Sequence, residues 1–187
     1  MNEMSAPQHS HRSDRELVDA VLQRQDEPAF RELYRRHTPR LFALVARLVA
    51  RGDHEAEDVV QEVWVHAFES MGRFEWNSAF ATWLTGIALN RVRDRIRKYG
   101  RSRESGVDVL PDIAVVPEPH ETRIDLERMI ARLPDDQRMV FVLHDVEGMK
   151  HREISDHLDI PEGTSKTLLS TARAKLRAMM SRKGTKS

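Results

Sequence analysis

Residues 100–121 separate two stretches in which apolar side chains recur at three- and four-residue steps. The separating segment holds Gly100, Gly106, Pro111, Pro117 and Pro119, few apolar clusters and many acids, which is linker composition. On its N-terminal side, Leu17, Val18, Val21 and Leu22 form a short amphipathic stripe. Phe30, Leu33, Tyr34, Leu41, Leu44, Val45 and Leu48 continue it, and Pro39 predicts a kink or a short break. Gly52-Asp53 predicts a stop and a new N-cap, with Glu55, Glu57 and Asp58 where the helix dipole favours acids. That helix runs to about residue 71 on Val59, Val60, Val63, Trp64 and Ala67. A loop is expected over 72–78 and a further helix over 79–99, with Phe80, Trp83, Leu84, Ile87, Val92 and Ile96 inward.

Beyond the linker, Ile124, Leu126, Met129, Ile130 and Leu133 make one stripe. Pro134 reopens a helix in whose first turn proline is tolerated, and Gly148 is its C′ residue. No period-two pattern is sustained anywhere. The expected fold is therefore all-α. Two small helical domains, 14–100 and 122–181, are joined by a flexible acidic linker over 101–121, with disordered tails at 1–13 and 182–187. A second domain of about 60 residues is only marginally stable alone.

Composition narrows the class. The 187 residues include no cysteine, which excludes disulfides, thiolate metal sites and a cysteine nucleophile. No apolar run reaches the ~18–20 residues needed to span a bilayer, and residues 1–16 lack the apolar core of a signal peptide. Membrane insertion is not expected, and the chain reads as cytoplasmic. The histidines, His54, His66, His144, His151 and His157 among them, show no metal-ligand spacing, and no glycine-rich phosphate loop appears. Neither an enzyme nor a cofactor is expected.

The formal net charge is zero, yet the charges lie in blocks. Residues 71–103 carry eight basic and two acidic side chains, and 150–187 carry nine and four. Residues 52–70 carry six acids and no Lys or Arg, and 104–127 carry seven acids against one base. Such segregation points to surfaces of opposite sign with different partners, or to solvated helix faces that cluster.

Residues 150–178 have the form short helix, tight turn at 159–163 with Pro161, longer basic helix, with Ile154, Leu158, Ala172 and Leu176 inward and one of Leu168 or Leu169 beside them. This is a helix-turn-helix pattern. Thr164 suits the helix start. Ser165, Lys166, Thr167 and Ser170 lie in the part that enters a major groove, and Lys166 and Arg173 can meet phosphates. In the first domain, Phe74, Trp76, Phe80 and Trp83 precede a helix carrying Arg91, Arg93, Arg95, Arg97 and Lys98. Basic residues track a phosphate backbone and aromatic faces stack on unpaired bases, so this pairing suits melting DNA. Phe80 and Trp83 have core spacing. Phe74 and Trp76, in the loop, are the stacking candidates, and Asn90 could reach a base edge. Asp58, Gln61 and Glu62 fall on adjacent turns of the acidic helix, a face for a basic protein partner or simply a solvated one.

Three segments, AEDVVQEVW (56–64), FATWLTGIALNRVRDRIR (80–97) and LPDDQRMVFVL with IPEGTSK (133–166), together resemble bacterial RNA polymerase sigma factors of the extracytoplasmic-function (ECF) group. The resemblance covers about residues 14–180. It implies a promoter-specificity subunit that binds core RNA polymerase and promoter DNA, with an anti-sigma factor as a further partner. It implies that Asp58, Gln61 and Glu62 dock on the polymerase largest subunit. It implies that Asn90 and Asp94, with Arg91 and Arg97 on the same helix, meet the minus-ten element. It further implies that the 72–78 loop captures a flipped base, at a few kcal/mol of unstacking, and that the helix carrying Lys166 and Arg173 reads the minus-thirty-five element. This chain departs from the family pattern at Leu168, where an arginine is common, at Ser165, where an apolar residue is usual, and at Ser170-Thr171. The alternative function is a stand-alone helix-turn-helix regulator, which has no need of the acidic 56–62 segment.

Overall fold

The computed structural model describes residues 12–104 and 121–184, with side chains over 12–98 and 126–181. Among the described residues every regular element is a helix. The first half contains α1 (Asp14–Arg24), α2 (Glu27–Val49), α3 (Asp53–Ser70) and α4 (Phe80–Glu104). The second contains α5 (Glu121–Ala131), α6 (Asp135–Phe141), α7 (His151–Leu158) and α8 (Glu162–Gly184). The expected linker lies largely outside the described residues, as do most of the two expected tails.

Local chemistry sets the boundaries. Ser13 and Glu16 form a reciprocal capping box that starts α1. The Glu16 carboxyl is held below its ordinary pKa, first by the Ser13 backbone N–H and then by its hydroxyl. Gln25 adopts a left-handed conformation, φ 50°, and Asp26 then caps α2 through the Ala29 N–H at 3.0 Å. Ala50 ends α2 the same way, and Gly52, φ 98°, precedes α3. Gly52 rather than Asp53 therefore occupies the N-cap position.

Four further expectations are corrected. Pro39 does not break α2, which continues on both sides of it, because the apolar face of Leu33, Leu41, Leu44, Val45 and Leu48 is buried along its whole length. Burial of roughly five such side chains, at ~1.5–3 kcal/mol each, outweighs the ~3 kcal/mol cost of an internal proline. α4 passes Gly100 and ends at Glu104, so its last turn occupies the start of the expected linker. α8 likewise runs to Gly184, past the expected domain end at 181. Pro134 stands one position before α6 rather than within its first turn.

The core of the first half joins all four of its helices, with Leu17, Leu33, Leu44, Leu48, Val63, Phe80, Leu84 and Leu89 almost wholly buried. In the second half Leu143, Ile154, Leu169 and Ala172 play this part. α6 passes directly into one π-helical turn, Val142–Val146, closed by Gly148 at φ 75°. Gly148 N–H donates to the His144 carbonyl and Met149 N–H to the Leu143 carbonyl, as expected of a C′ glycine.

The halves pack on one another. Arg138 of α6 is 3% exposed. Its Nε donates to the Leu48 carbonyl at the C-terminus of α2 at 2.9 Å, and its Nη1 to the Leu133 carbonyl at 2.8 Å. Its remaining nitrogen pairs with Asp135. Burial pushes the Arg138 pKa down, with Asp135 opposing. Arg47 meets Glu127 at 3.0 Å and Arg40 meets Glu147 at 2.9 Å across the same boundary. α7 lies against α4, where Arg93 donates to the His157 carbonyl at 2.9 Å.

Candidate nucleic-acid and polymerase interfaces

The basic residues of α4 do not share one face. Arg91 and Arg95, one turn apart, turn towards α3. They line a groove of about 470 Å³ with Asp58, Gln61, Glu62, Val65 and His66. Arg95 pairs with Glu55 at 2.9 Å and also with Glu62. Arg93 is held by α7. Asn90, Asp94 and Arg97 are exposed and fall at i, i+4 and i+7, so they form one stripe along α4. The structure thus brings together Asn90, Asp94 and Arg97, but sets Arg91 beside the acidic face instead. Arg91 is within 3.6 Å of Asp94, which links the two surfaces.

The acidic face is also apolar. Val65 is 60% exposed and follows Gln61 by one turn, and Phe68 is 57% exposed one turn further on. Sequence reasoning named neither, because it read this face from its polar residues Asp58, Gln61 and Glu62 alone. α3 buries Val59, Val60, Val63, Trp64 and Ala67, the set expected from their spacing, and leaves the 58–61–62–65 side outward.

Phe74 and Trp76 lie in the loop as expected, but they are half-buried. Phe74 stacks on Trp83 with ring centroids 4.8 Å apart, and Trp76 lies 4.7 Å from Phe74. Arg15 of α1 sits 5.7 Å over the Trp76 ring. Trp76 has φ 59°, an uncommon conformation for an aromatic residue. The two rings form an aromatic cluster on Phe80 rather than free-standing platforms. Phe80 is core, as expected from its spacing.

On α8, Thr164, Lys166, Thr167, Ser170 and Arg173 are exposed, together with Lys175 and Arg177. Leu169, not Leu168, is the fully buried member of the pair, and Leu168 is half-buried. Ser165 is a correction. It is 0% exposed, and its hydroxyl lies 2.9 Å from His151 Nδ1 inside the helix-turn-helix, so it cannot reach a base. It fills the place of an apolar residue, and its buried hydroxyl finds a partner. Lys166 pairs with Glu162 at 2.7 Å, which lowers the Glu162 pKa. Arg173 is gripped by Asp145, at 2.9 Å on Nε and 2.6 Å on Nη2. That contact lowers the Asp145 pKa and raises that of Arg173. No group of side chains arranged to hold a metal ion occurs among the described residues.

Residues 33–102 match the sigma-70 region 2 family and residues 123–176 match sigma-70 region 4. The chain is 32% identical to the ECF RNA polymerase sigma factor SigM of Mycobacterium tuberculosis over 90% of its own length and 85% of the relative's. It is 33% identical to the ECF RNA polymerase sigma-E factor of Escherichia coli, over 86% and 91%. Among solved structures it resembles the sigma factor RpoE of Bartonella quintana in complex with the anti-sigma factor NepR. That match has a TM-score of 0.69 at 25% identity and covers 81% of this chain and 96% of that one. It also resembles CnrH in complex with the cytosolic domain of CnrY, with a TM-score of 0.59 at 27% identity, over 90% and 97%.

Proposed function

This chain belongs to the ECF group of RNA polymerase sigma factors, and on that premise we propose how its surfaces divide the work of promoter selection. The chain directs core RNA polymerase to promoters and assists their melting. It does no covalent chemistry of its own, and its place beside core polymerase is the cytoplasm. Asp58, Gln61 and Glu62 dock on polymerase, with Val65 supplying apolar contact in the same face. Asn90, Asp94 and Arg97 meet the minus-ten element along one helical stripe. Phe74 and Trp76 shape the wall of the base-capture loop. Thr164, Lys166, Thr167, Ser170 and Arg173 face the minus-thirty-five element.

The observation that carries this reading is the division of signs. One helix presents acids and exposed apolar side chains, while two separate helices present polar and basic stripes. A stand-alone regulator has use for α8 but not for the α3 face. In the packed arrangement α7 sits on α4 at Arg93, one turn from Asn90, and a Cβ placed on Gly86 would stand 3.5 Å from His157. A promoter strand approaching Asn90 meets α7, so DNA binding requires the halves to part. Polymerase docking supplies that separation. An anti-sigma partner, like the NepR bound to the solved RpoE, is a further partner of this chain.

In vitro transcription with core polymerase on a randomised promoter library tests this reading. Two enriched elements, lost together with core binding on Asp58→Lys, are expected. Failure of the wild-type chain to bind core polymerase at physiological salt refutes it.

A further inference from the structure

Behind α8 the chain widens into the π-helical turn Val142–Val146. Such turns place an extra residue in a helix and are frequent at functional positions. One side chain of this turn reaches α8 and its neighbour reaches α7. Asp145 grips Arg173. His144 lies 2.8 Å from the same Asp145 carboxylate, and its ring stands 4.6 Å from that of His151, the partner of the buried Ser165. α8 is therefore braced at two points eight residues apart, about 12 Å along its axis.

The grip on Arg173 has a direction. A guanidinium carries five N–H donors in a rigid planar fork. Asp145 takes the Nε hydrogen and one Nη2 hydrogen, the side-on edge. The second Nη2 hydrogen and one Nη1 hydrogen remain on the end-on edge. That edge matches two phosphate oxygens. Arg173 lies eleven residues into α8, beyond the N-terminal part that enters a groove, where a backbone contact is the natural one. A free arginine there would have many rotamers to lose on binding, whereas this one is already oriented.

Building on the proposed function, we propose that Asp145 is a positioning residue for promoter recognition. It holds Arg173 as a preset phosphate clamp that fixes the register of α8 on the upstream element. Phosphate contacts carry no sequence information themselves, but they set the alignment in which base contacts are made. Loss of the clamp therefore lowers discrimination, even though loss of an acid near DNA favours affinity.

The test is Asp145→Asn in the full chain bound to core polymerase, with binding measured to a promoter and to scrambled DNA over a salt series. The wild-type holoenzyme must prefer the promoter; if it does not, the functional reading fails and not this inference. With that preference present, Asp145→Asn is expected to lower the promoter-to-scrambled ratio roughly tenfold. Scrambled-DNA affinity is expected to stay or rise, and the salt slope on the promoter to shrink by about one. Asp145→Glu should restore part of the ratio. In an Arg173→Lys background, Asp145→Asn should change the ratio no further. An unchanged ratio and slope overturn the inference, as do effects of the two substitutions that simply add. Melting curves of each variant guard against a fold defect, and an equal loss on both DNAs with a lowered melting temperature also overturns it.

Discussion

Replacing Arg138 by methionine should open the molecule. Methionine keeps the length and apolar stem of the side chain but removes every donor. Two short bonds to carbonyls disappear, to Leu48 at 2.9 Å and to Leu133 at 2.8 Å, and Asp135 loses its ion-pair partner within the second half. Hydrogen bonds from a charged donor contribute about 1.5–3 kcal/mol each. The gain is reduced by the desolvation that already pushes the Arg138 pKa down. The Leu48 bond crosses between the halves, with a longer contact of 3.5 Å from Nη2 to the Val49 carbonyl beside it, so about 2 kcal/mol of the total acts on closure. The more exposed pairs Arg47–Glu127 and Arg40–Glu147 add at most about 1 kcal/mol each and are screened by salt. A change of 2 kcal/mol shifts the closed-to-open ratio roughly thirtyfold. The chain has no cysteine, so one engineered cysteine on Arg24 and another on Lys175 can carry probes for distance distributions without background. A long-distance population should grow in Arg138→Met and grow further with salt. A variant that loses helical stability while its distance distribution stays that of the wild type would place the work of Arg138 inside the second half and refute the latch.

Ser165→Ala should cost about 1 kcal/mol of stability, read from urea unfolding, because His151 loses its partner; base preference in the upstream element should not change, since the side chain is buried. Leu168→Arg should tighten upstream binding in a footprint, because Leu168 is half-buried at the edge of the exposed face of α8; an unaltered footprint would count against that placement. Stability should also depend on pH through His151, whose pKa is pushed below 6.5 chiefly by burial and then by His144 and Lys166, with Glu162 opposing. A histidine depressed in the folded state is protonated first in the unfolded chain. Its contribution is complete above pH 6.5 and is lost as pH falls from there towards the folded value. The urea midpoint should therefore drop between pH 7.5 and 5.5, and His151→Gln should flatten that drop.

Helix existence and most boundaries were legible in the chain, because periodic apolar spacing, capping residues and glycines act over a few residues. So were the opposed charge blocks and the family resemblance carried by the 56–64, 80–97 and 133–166 segments. Pro39 misled because its local cost is outweighed by a long buried face. Helical spacing picked out the buried side of α3, Val59, Val60, Val63, Trp64 and Ala67, but it did not show that Val65 and Phe68 stand exposed beside the acids, since what covers each side of α3 is a tertiary matter. The basic run on α4 looked uniform in sequence. Packing divided it between the α3 acids, α7 and solvent, because residues one apart on a helix point about 100° apart. The contacts of Arg138 with Leu48 and of Asp145 with Arg173 left no signal in the sequence, as these partners lie 90 and 28 positions away. The sequence by itself determined two helical units with opposed charges and a DNA-reading motif. Only the tertiary structure decided which of those charges are already spent on each other, because a charge can be assigned to a partner only when distance and burial are known.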